Sequence, residues 1–244
     1  FDWTYDGTGP TMTISSNTGA SGGSTATDPV VLIYTSNEAT SNFALADITE
    51  TGCTGGGFTT TSSTVYGSTC TVTNDGAANV AVAADTFTDS VANGNSVSNT
   101  YSWTLDDTVP TMTITSNTVA SGASTTTAAI VLIYTSNEAT TNFATGDITE
   151  SGCSDGSFTT TSTTVYGSTC TASSDGTPTV SVAAGAFSDA TGNTNSVSNT
   201  YTWTYDTTGP TMTITSGTVA SGATTATAAV DMHITSNAAP SHYA

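Results

Sequence analysis

Residues 96–116 read SVSNTYSWTLDDTVPTMTITS, and this stretch decides the fold. Tyr101, Trp103 and Leu105 alternate with Thr100, Ser102 and Thr104, the period of a strand with one buried and one wet face. The acidic pair Asp106 and Asp107 follows, Pro110 breaks the ladder, and Met112 and Ile114 alternate with Thr111, Thr113 and Thr115 in a second strand. The stretch is a seam between the last strand of one module and the first of the next. It recurs every 100 residues: Trp3, Trp103 and Trp203 keep step with Pro10, Pro110 and Pro210, and the intervening link reads DGTG, DDTV and DTTG.

Working outward from the seam, the chain divides into the end of a preceding repeat (1–5), repeat 1 (6–105), repeat 2 (106–205) and a partial repeat 3 (206–244) with only its first two strands. About two-thirds of the 100 aligned positions of repeats 1 and 2 are identical without a gap, the mark of a tandem array. Because it opens inside a strand and stops partway through a repeat, the sequence is read as a segment of a longer protein. Each full repeat holds about seven short β-branched or alternating runs separated by Gly, Asn, Asp and Ser. In repeat 1 they fall at 11–15, 30–35, near 45–50, 57–61, 64–72, 79–84 and 96–105. No helical stripe competes. The pattern predicts an all-β protein of tandem antiparallel immunoglobulin-like β-sandwiches, arranged as beads on a string.

The second strand is apolar on both faces, VVLIY in repeat 1 and IVLIY in repeat 2. Repeat 3 resolves its orientation, because Val230, Met232 and Ile234 stay apolar while Asp231 and His233 turn polar. Val30, Leu32 and Tyr34 are therefore expected inside, with Ile130, Leu132 and Tyr134 as counterparts. Val31, Ile33, Val131 and Ile133 are left pointing outward. Two readings stand: ordinary scattered surface apolar residues, or a lateral contact in a homo-oligomer or filament.

Lys plus Arg is zero against 19 Asp plus Glu, where ordinary usage predicts roughly 30 basic residues. Nucleic acid and anionic lipid both need cationic side chains, so neither is a partner. Cations, neutral sugars and other protein surfaces remain. No run of 18 apolar residues occurs, so no membrane insertion is expected. The 60 Thr and 32 Ser suit strand faces, and no Asn-x-Ser/Thr acceptor is present. The clusters TTTSST at 59–64 and TTTSTT at 159–164 exceed that need and are candidates for O-linked glycans.

Cys53, Cys70, Cys153 and Cys170 stand at matching positions in the two repeats, and pairing within each repeat is the simplest of three connectivities. A hairpin folded at TTSS would set Cys53 opposite Cys70 and Phe58 opposite Val65. A four-cysteine metal site lacks the needed spacing. Persistent disulfides imply a secreted, extracellular chain.

PTMTITS, TSNEATTNFATGDIT, DGTPTVSVAAGAFSDATGNTN and TYTWTYDTTGP resemble the bacterial Ig-like tandem repeats of large extracellular adhesins, and similar repeats in surface proteins of marine protists. The resemblance covers essentially the whole chain. It implies calcium between domains, held at positions matching Asp106, Asp107, Glu138 and Asp189. Paired cysteines and the total loss of Lys and Arg depart from the family's pattern.

The residues support the same ion independently. In such a sandwich the second-to-third and sixth-to-seventh strand turns lie at the end that receives the linker. Glu138, Asp189 and Asn193 would converge there on Asp106 and Asp107, with Asp75 of the preceding repeat facing the same seam. The set ahead of repeat 1 is Asp6, Glu38, Asp89 and Asn93. Hard oxygen donors suit calcium, although Asp and Asn also serve as turn formers. Repeat 3 has Ala238 in place of the glutamate, which weakens any site there.

An enzyme is not expected, since the only histidines, His233 and His242, sit in an irregular tail and no phosphate loop opens a helix. Regular repetition favours a structural component of an extracellular filament, stalk or appendage. The alternative is a cell-surface adhesin that binds glycan or protein ligands through its loops.

Overall fold

The computed structural model describes residues 1–226 and 228–237; His242 and Ala238 lie outside the described residues. The chain is all-β, in tandem Ig-like sandwiches. Repeat 1 carries β1 (Met12–Ser16), β2 (Gly23–Thr25), β3 (Val30–Ser36), β4 (Ile48–Thr51), β5 (Thr54–Thr60), β6 (Val65–Thr71), β7 (Gly76–Val82) and β8 (Tyr101–Leu105). One sheet runs β1-β3-β6-β5 and the facing sheet β2-β8-β7-β4. Repeat 2 follows the same plan with β9 (Met112–Ser116), β10 (Ser124–Thr125), β11 (Ala129–Ser136), β12 (Ile148–Ser151), β13 (Cys153–Thr160), β14 (Val165–Ala172), β15 (Thr179–Val182), β16 (Tyr201–Thr202) and β17 (Thr204–Tyr205). Beyond it, β18 (Met212–Ser216) and β19 (Met232–Ser236) pair as a two-stranded ribbon.

Alternation along the strands builds each core. Val30, Leu32 and Tyr34 are buried on β3, and Ile130, Leu132 and Tyr134 on β11, the face expected from the sequence. Phe43 centres an aromatic cluster, its ring 5.0 to 5.7 Å from those of Tyr34, Phe58, Tyr66 and Phe87. Phe143 repeats that arrangement in repeat 2. Buried phenols find partners: Tyr34 bonds Ser68 at 2.9 Å and Tyr66 bonds Thr40 at 2.6 Å. The two cores share no residue. In the ribbon of β18 and β19, Met212, Ile214, Met232 and Ile234 are exposed.

Both disulfides join cysteines of one repeat, Cys53 to Cys70 and Cys153 to Cys170. The expected hairpin register differs. Cys70 stands opposite Gly55 rather than Cys53, because a bulge between Gly56 and Thr59 removes one residue from the ladder and the turn closes on Thr61 and Val65. Cys53 precedes β5, so the bond fastens the crossover between the sheets to the core-facing side of β6. Two other differences follow from backbone pairing. The short β2, absent from the sequence reading, pairs in parallel with β8. Residues 96–100 lie outside β8 because Ser98 turns back to exchange bonds with Val82.

The first strand would leave an open sheet edge, which invites pairing with other chains. Asn99 covers it, accepting the Ile14 N–H at 2.8 Å and donating to the Ile14 carbonyl at 3.0 Å. Asn199 does the same for Ile114.

Two variants test these readings by chemical denaturation. Asn199→Ala should lower the stability of repeat 2 by about 1–3 kcal/mol through loss of both bonds. Ser157, at φ 51°, occupies the left-handed position that Gly57 takes in repeat 1. Ser157→Gly should therefore stabilise by about 0.5–1 kcal/mol.

Candidate metal centre

The turn after β3 and the turn after β7 are drawn together at the end of repeat 1 that receives the linker. Asn37 Oδ1 accepts the Thr11 N–H at 2.6 Å, fixing the first turn to the start of β1. Ser41 Oγ donates to the Asp89 carbonyl at 3.0 Å, fixing it to the second. Asn137 and Thr141 make the same two bonds in repeat 2. These ties bring Asp6, Glu38 and Asp89 into one group and Asp106, Glu138 and Asp189 into another, with a carboxylate oxygen of each member within 4.8 Å of the others.

Each aspartate of the second turn is wrapped by its own loop. Asp89 Oδ1 accepts the N–H groups of Val91 and Asn93, and Oδ2 accepts from Asn93 Nδ2 at 2.8 Å. Asp189 Oδ1 accepts three N–H groups, from Thr191, Gly192 and Asn193. Burial works against both carboxylates, yet the Asn side chains and loop N–H groups outweigh it and hold both below the usual carboxylate range. Glu138 moves the other way. Its burial, then the negative charges of Asp106 and Asp189, raise its carboxyl above the ordinary value.

Asn93 Nδ2 lies 3.2 Å from each of the Asp6 and Thr8 carbonyl oxygens and 2.8 Å from Asp89 Oδ2. Asn193 Nδ2 faces the Asp106 carbonyl, Asp189 Oδ2 and Thr191 Oγ1 at 2.8, 2.9 and 3.0 Å. An amide nitrogen thus occupies a place ringed by oxygens in each repeat. A half-turn of that amide would present its oxygen instead. Glu38 Oε1 is buried without a hydrogen-bond partner, an orphaned acceptor inside the same group. Carboxylates, carbonyls and amide oxygens fit a hard cation.

Asp75 and Asp107 stand outside these three-carboxylate groups. Asp75 Oδ1 accepts the Asp107 N–H at 2.7 Å, and its Oδ2 accepts the Thr108 hydroxyl. Asp175 grips Thr207 and Thr208 in the same way. Residues 106–108 are accordingly held from both sides: Asp106 by Asn193 of repeat 2, Asp107 and Thr108 by Asp75 of repeat 1. The sequence reading missed Thr191, whose hydroxyl also approaches Asp106 Oδ2 at 3.4 Å, and the tying residues Asn37, Asn137, Ser41 and Thr141. Their common signal was position: all sit in the two turns that flank the linker. Outward-facing Val31 and Val131 are 43% and 45% exposed, whereas Ile33 and Ile133 are half-buried.

Residues 106–205 match the family model described as Bacterial Ig-like domain, Big_12. The match supports a bacterial Ig-like domain in this chain. No curated protein matches the sequence. Among solved structures, similarity is found to the Escherichia coli adhesin FdeC at 11% identity, over 85% of this chain and 67% of that one, with a TM-score of 0.38. Yersinia pseudotuberculosis InvD is similar at 16% identity, over 86% of this chain and 63% of that one, with a TM-score of 0.34. The Yersinia pseudotuberculosis adhesin InvE is similar at 14% identity, over 81% of this chain and 58% of that one, with a TM-score of 0.29. The matched repeat is an Ig-like domain, and the two disulfides suit an oxidising compartment. No helix among the described residues is long and apolar enough to cross a membrane.

The opposite shifts within one group give a signed prediction, read by calorimetry in chelator. The depressed Asp189 contributes stability that is present above the ordinary carboxylate range and lost as pH falls through its folded value. The raised Glu138 favours the fold below its unfolded value, and that contribution is lost as pH rises through the folded one. At neutral pH, Glu138→Gln should raise the unfolding midpoint of repeat 2 and Asp189→Ala should lower it.

Proposed function

We propose that the chain is a stretch of an extracellular cell-surface adhesin in which tandem Ig-like repeats form a stalk and calcium sets the stiffness of each seam. The observation that carries this reading is the three-carboxylate group found twice, each time made of one linker residue and two turn residues of the following repeat. A cation bound there would join the linker to the body of the repeat. Asp106, Glu138, Asp189 and Asn193 would hold it ahead of repeat 2, and Asp6, Glu38, Asp89 and Asn93 ahead of repeat 1. Calcium would supply a divalent positive charge to a chain that has no Lys or Arg of its own. The adhesin setting accords with the bacterial Ig-like match, and the division at 6–105 and 106–205 is part of the same proposal.

A free-standing filament is the second reading. It is favoured by the exposed Val31 and Val131 on sheet faces whose outward strand positions carry Thr, Ser and Gly rather than charge. Two like-charged chains could meet there with least repulsion. The exposed hydroxyls of 59–63 and 159–163 would carry any O-linked sugars.

Calcium at about 100 times its dissociation constant should stabilise each occupied repeat by about 2.7 kcal/mol, and chelator should reverse it. Glu138→Gln should abolish the effect in repeat 2 and leave repeat 1 responsive. An unchanged melting profile at millimolar calcium would overturn the metal role. For the lateral contact, Val31→Ser combined with Val131→Ser should shift sedimentation from assemblies to single chains. Equal sedimentation of both proteins would remove the filament reading.

A further inference from the structure

Repeats 1 and 2 differ at a carboxylate beneath the disulfide. In repeat 1, Glu50 leaves β4 and its Oε2 accepts the Gly55 N–H at 2.7 Å. Its Oε1 lies 1.6 Å from the point where a Cβ on residue 55 would stand, so the carboxylate fills the space that glycine leaves. Repeat 2 puts Asp155 at that position. The backbone N–H of residue 155 still draws on the glutamate, but two carboxyl groups now share one niche.

The niche offers little to balance two negative charges. Asp155 Oδ1 is buried without a hydrogen-bond partner. Glu150 Oε1 lies 3.5 Å from Cys170 Sγ, and a disulfide sulfur has no hydrogen to give, so a hydrogen bond there needs the proton on Glu150. The other titratable group facing the pair is Tyr134 on β11. Its hydroxyl bonds Ser168 at 3.0 Å, and burial, the Ser168 bond notwithstanding, together with the charges of Asp155 and Glu150 pushes it up to about 12. Cys153 and Cys170, on β13 and β14, are tied up in the disulfide. Burial first, and then the charge of Asp155, holds the Glu150 carboxyl above its ordinary value.

We propose that Glu150 takes up a proton beside the unpartnered Asp155 carboxylate, making repeat 2 a pH-responsive module where repeat 1 has a glycine at the matching position. A fold that binds a proton more tightly than the unfolded chain is stabilised below the ordinary glutamate value of about 4.3. That stabilisation is lost as pH rises through the raised folded value. Repeat 2 therefore tightens around its disulfide in mild acid and loosens towards neutrality.

Glu138 also titrates in repeat 2, so the test isolates position 155. Hydrogen exchange of the full chain, corrected for the intrinsic pH dependence, is followed in peptides spanning 150–172 and 50–72, with chelator present. Protection of 150–172 should fall several-fold from pH 5 to pH 7 in the natural chain and stay level in Asp155→Gly, which restores the repeat 1 arrangement. Gly55→Asp should install the same fall in 50–72. A carboxyl carbon resonance of Glu150 that titrates above the ordinary range, and returns to it in Asp155→Gly, would confirm the proton on Glu150. An identical protection profile in natural chain and Asp155→Gly, or a Glu150 resonance titrating at or below about 4.3, would overturn the proposal.

Discussion

The carboxylates of this chain must be balanced without lysine or arginine, and much of the local structure follows from that constraint. The fold meets it in two ways. Asp75, Asp89, Asp175 and Asp189 are surrounded by backbone N–H groups, hydroxyls and amides, and their proton affinity falls. Burial first, and then like charge nearby, raises the proton affinity of Glu138 and Glu150. The first group acts as a set of turn clamps. The second marks the places where something else, a metal ion or a proton, would relieve the repulsion.

The seam shows how the two solutions combine. Asp75 reaches forward from repeat 1 to the backbone of Asp107, while Asn193 reaches back from repeat 2 to the carbonyl of Asp106. Adjacent linker residues therefore belong to different bodies. Asp107 is the exception within this order: its hydrogen bond with Asp75, then the charge of Asp75, raises its carboxyl. The corresponding residue is Gly7 before repeat 1 and Thr207 after repeat 2, so the central seam alone carries this extra charge.

The fold was legible in the sequence where side-chain alternation had a clear winner. The polar substitutions Asp231 and His233 in repeat 3 identified the outer face of β3 and β11, because an inward charge would have had no partner. The two turns that form the carboxylate groups were legible too, since strand direction alone sends them to the linker end. Backbone-dependent features were not. The three residues of β2 have no alternation to read, and their pairing with β8 depends on the whole sandwich. The disulfide register shifted because Gly57 takes a left-handed conformation that bulges β5, an event no spacing argument counts. Asn99 and Asn199 fell inside the expected last strand, and their distance of 85 positions from Ile14 and Ile114 in the chain conceals their role as edge covers.

The placement of the disulfides also bears on mechanics. A chain pulled from its ends loads β2 and β8, which run in parallel, so their bonds must shear together rather than open one at a time. Once a repeat gives way, the 17-residue separation between its cysteines cannot lengthen, which withholds roughly 50 Å of contour from extension. Each repeat would thus yield in a shorter step and keep β5 and β6 joined as a seed for refolding. A tether of such repeats would absorb a pull in many small, recoverable increments.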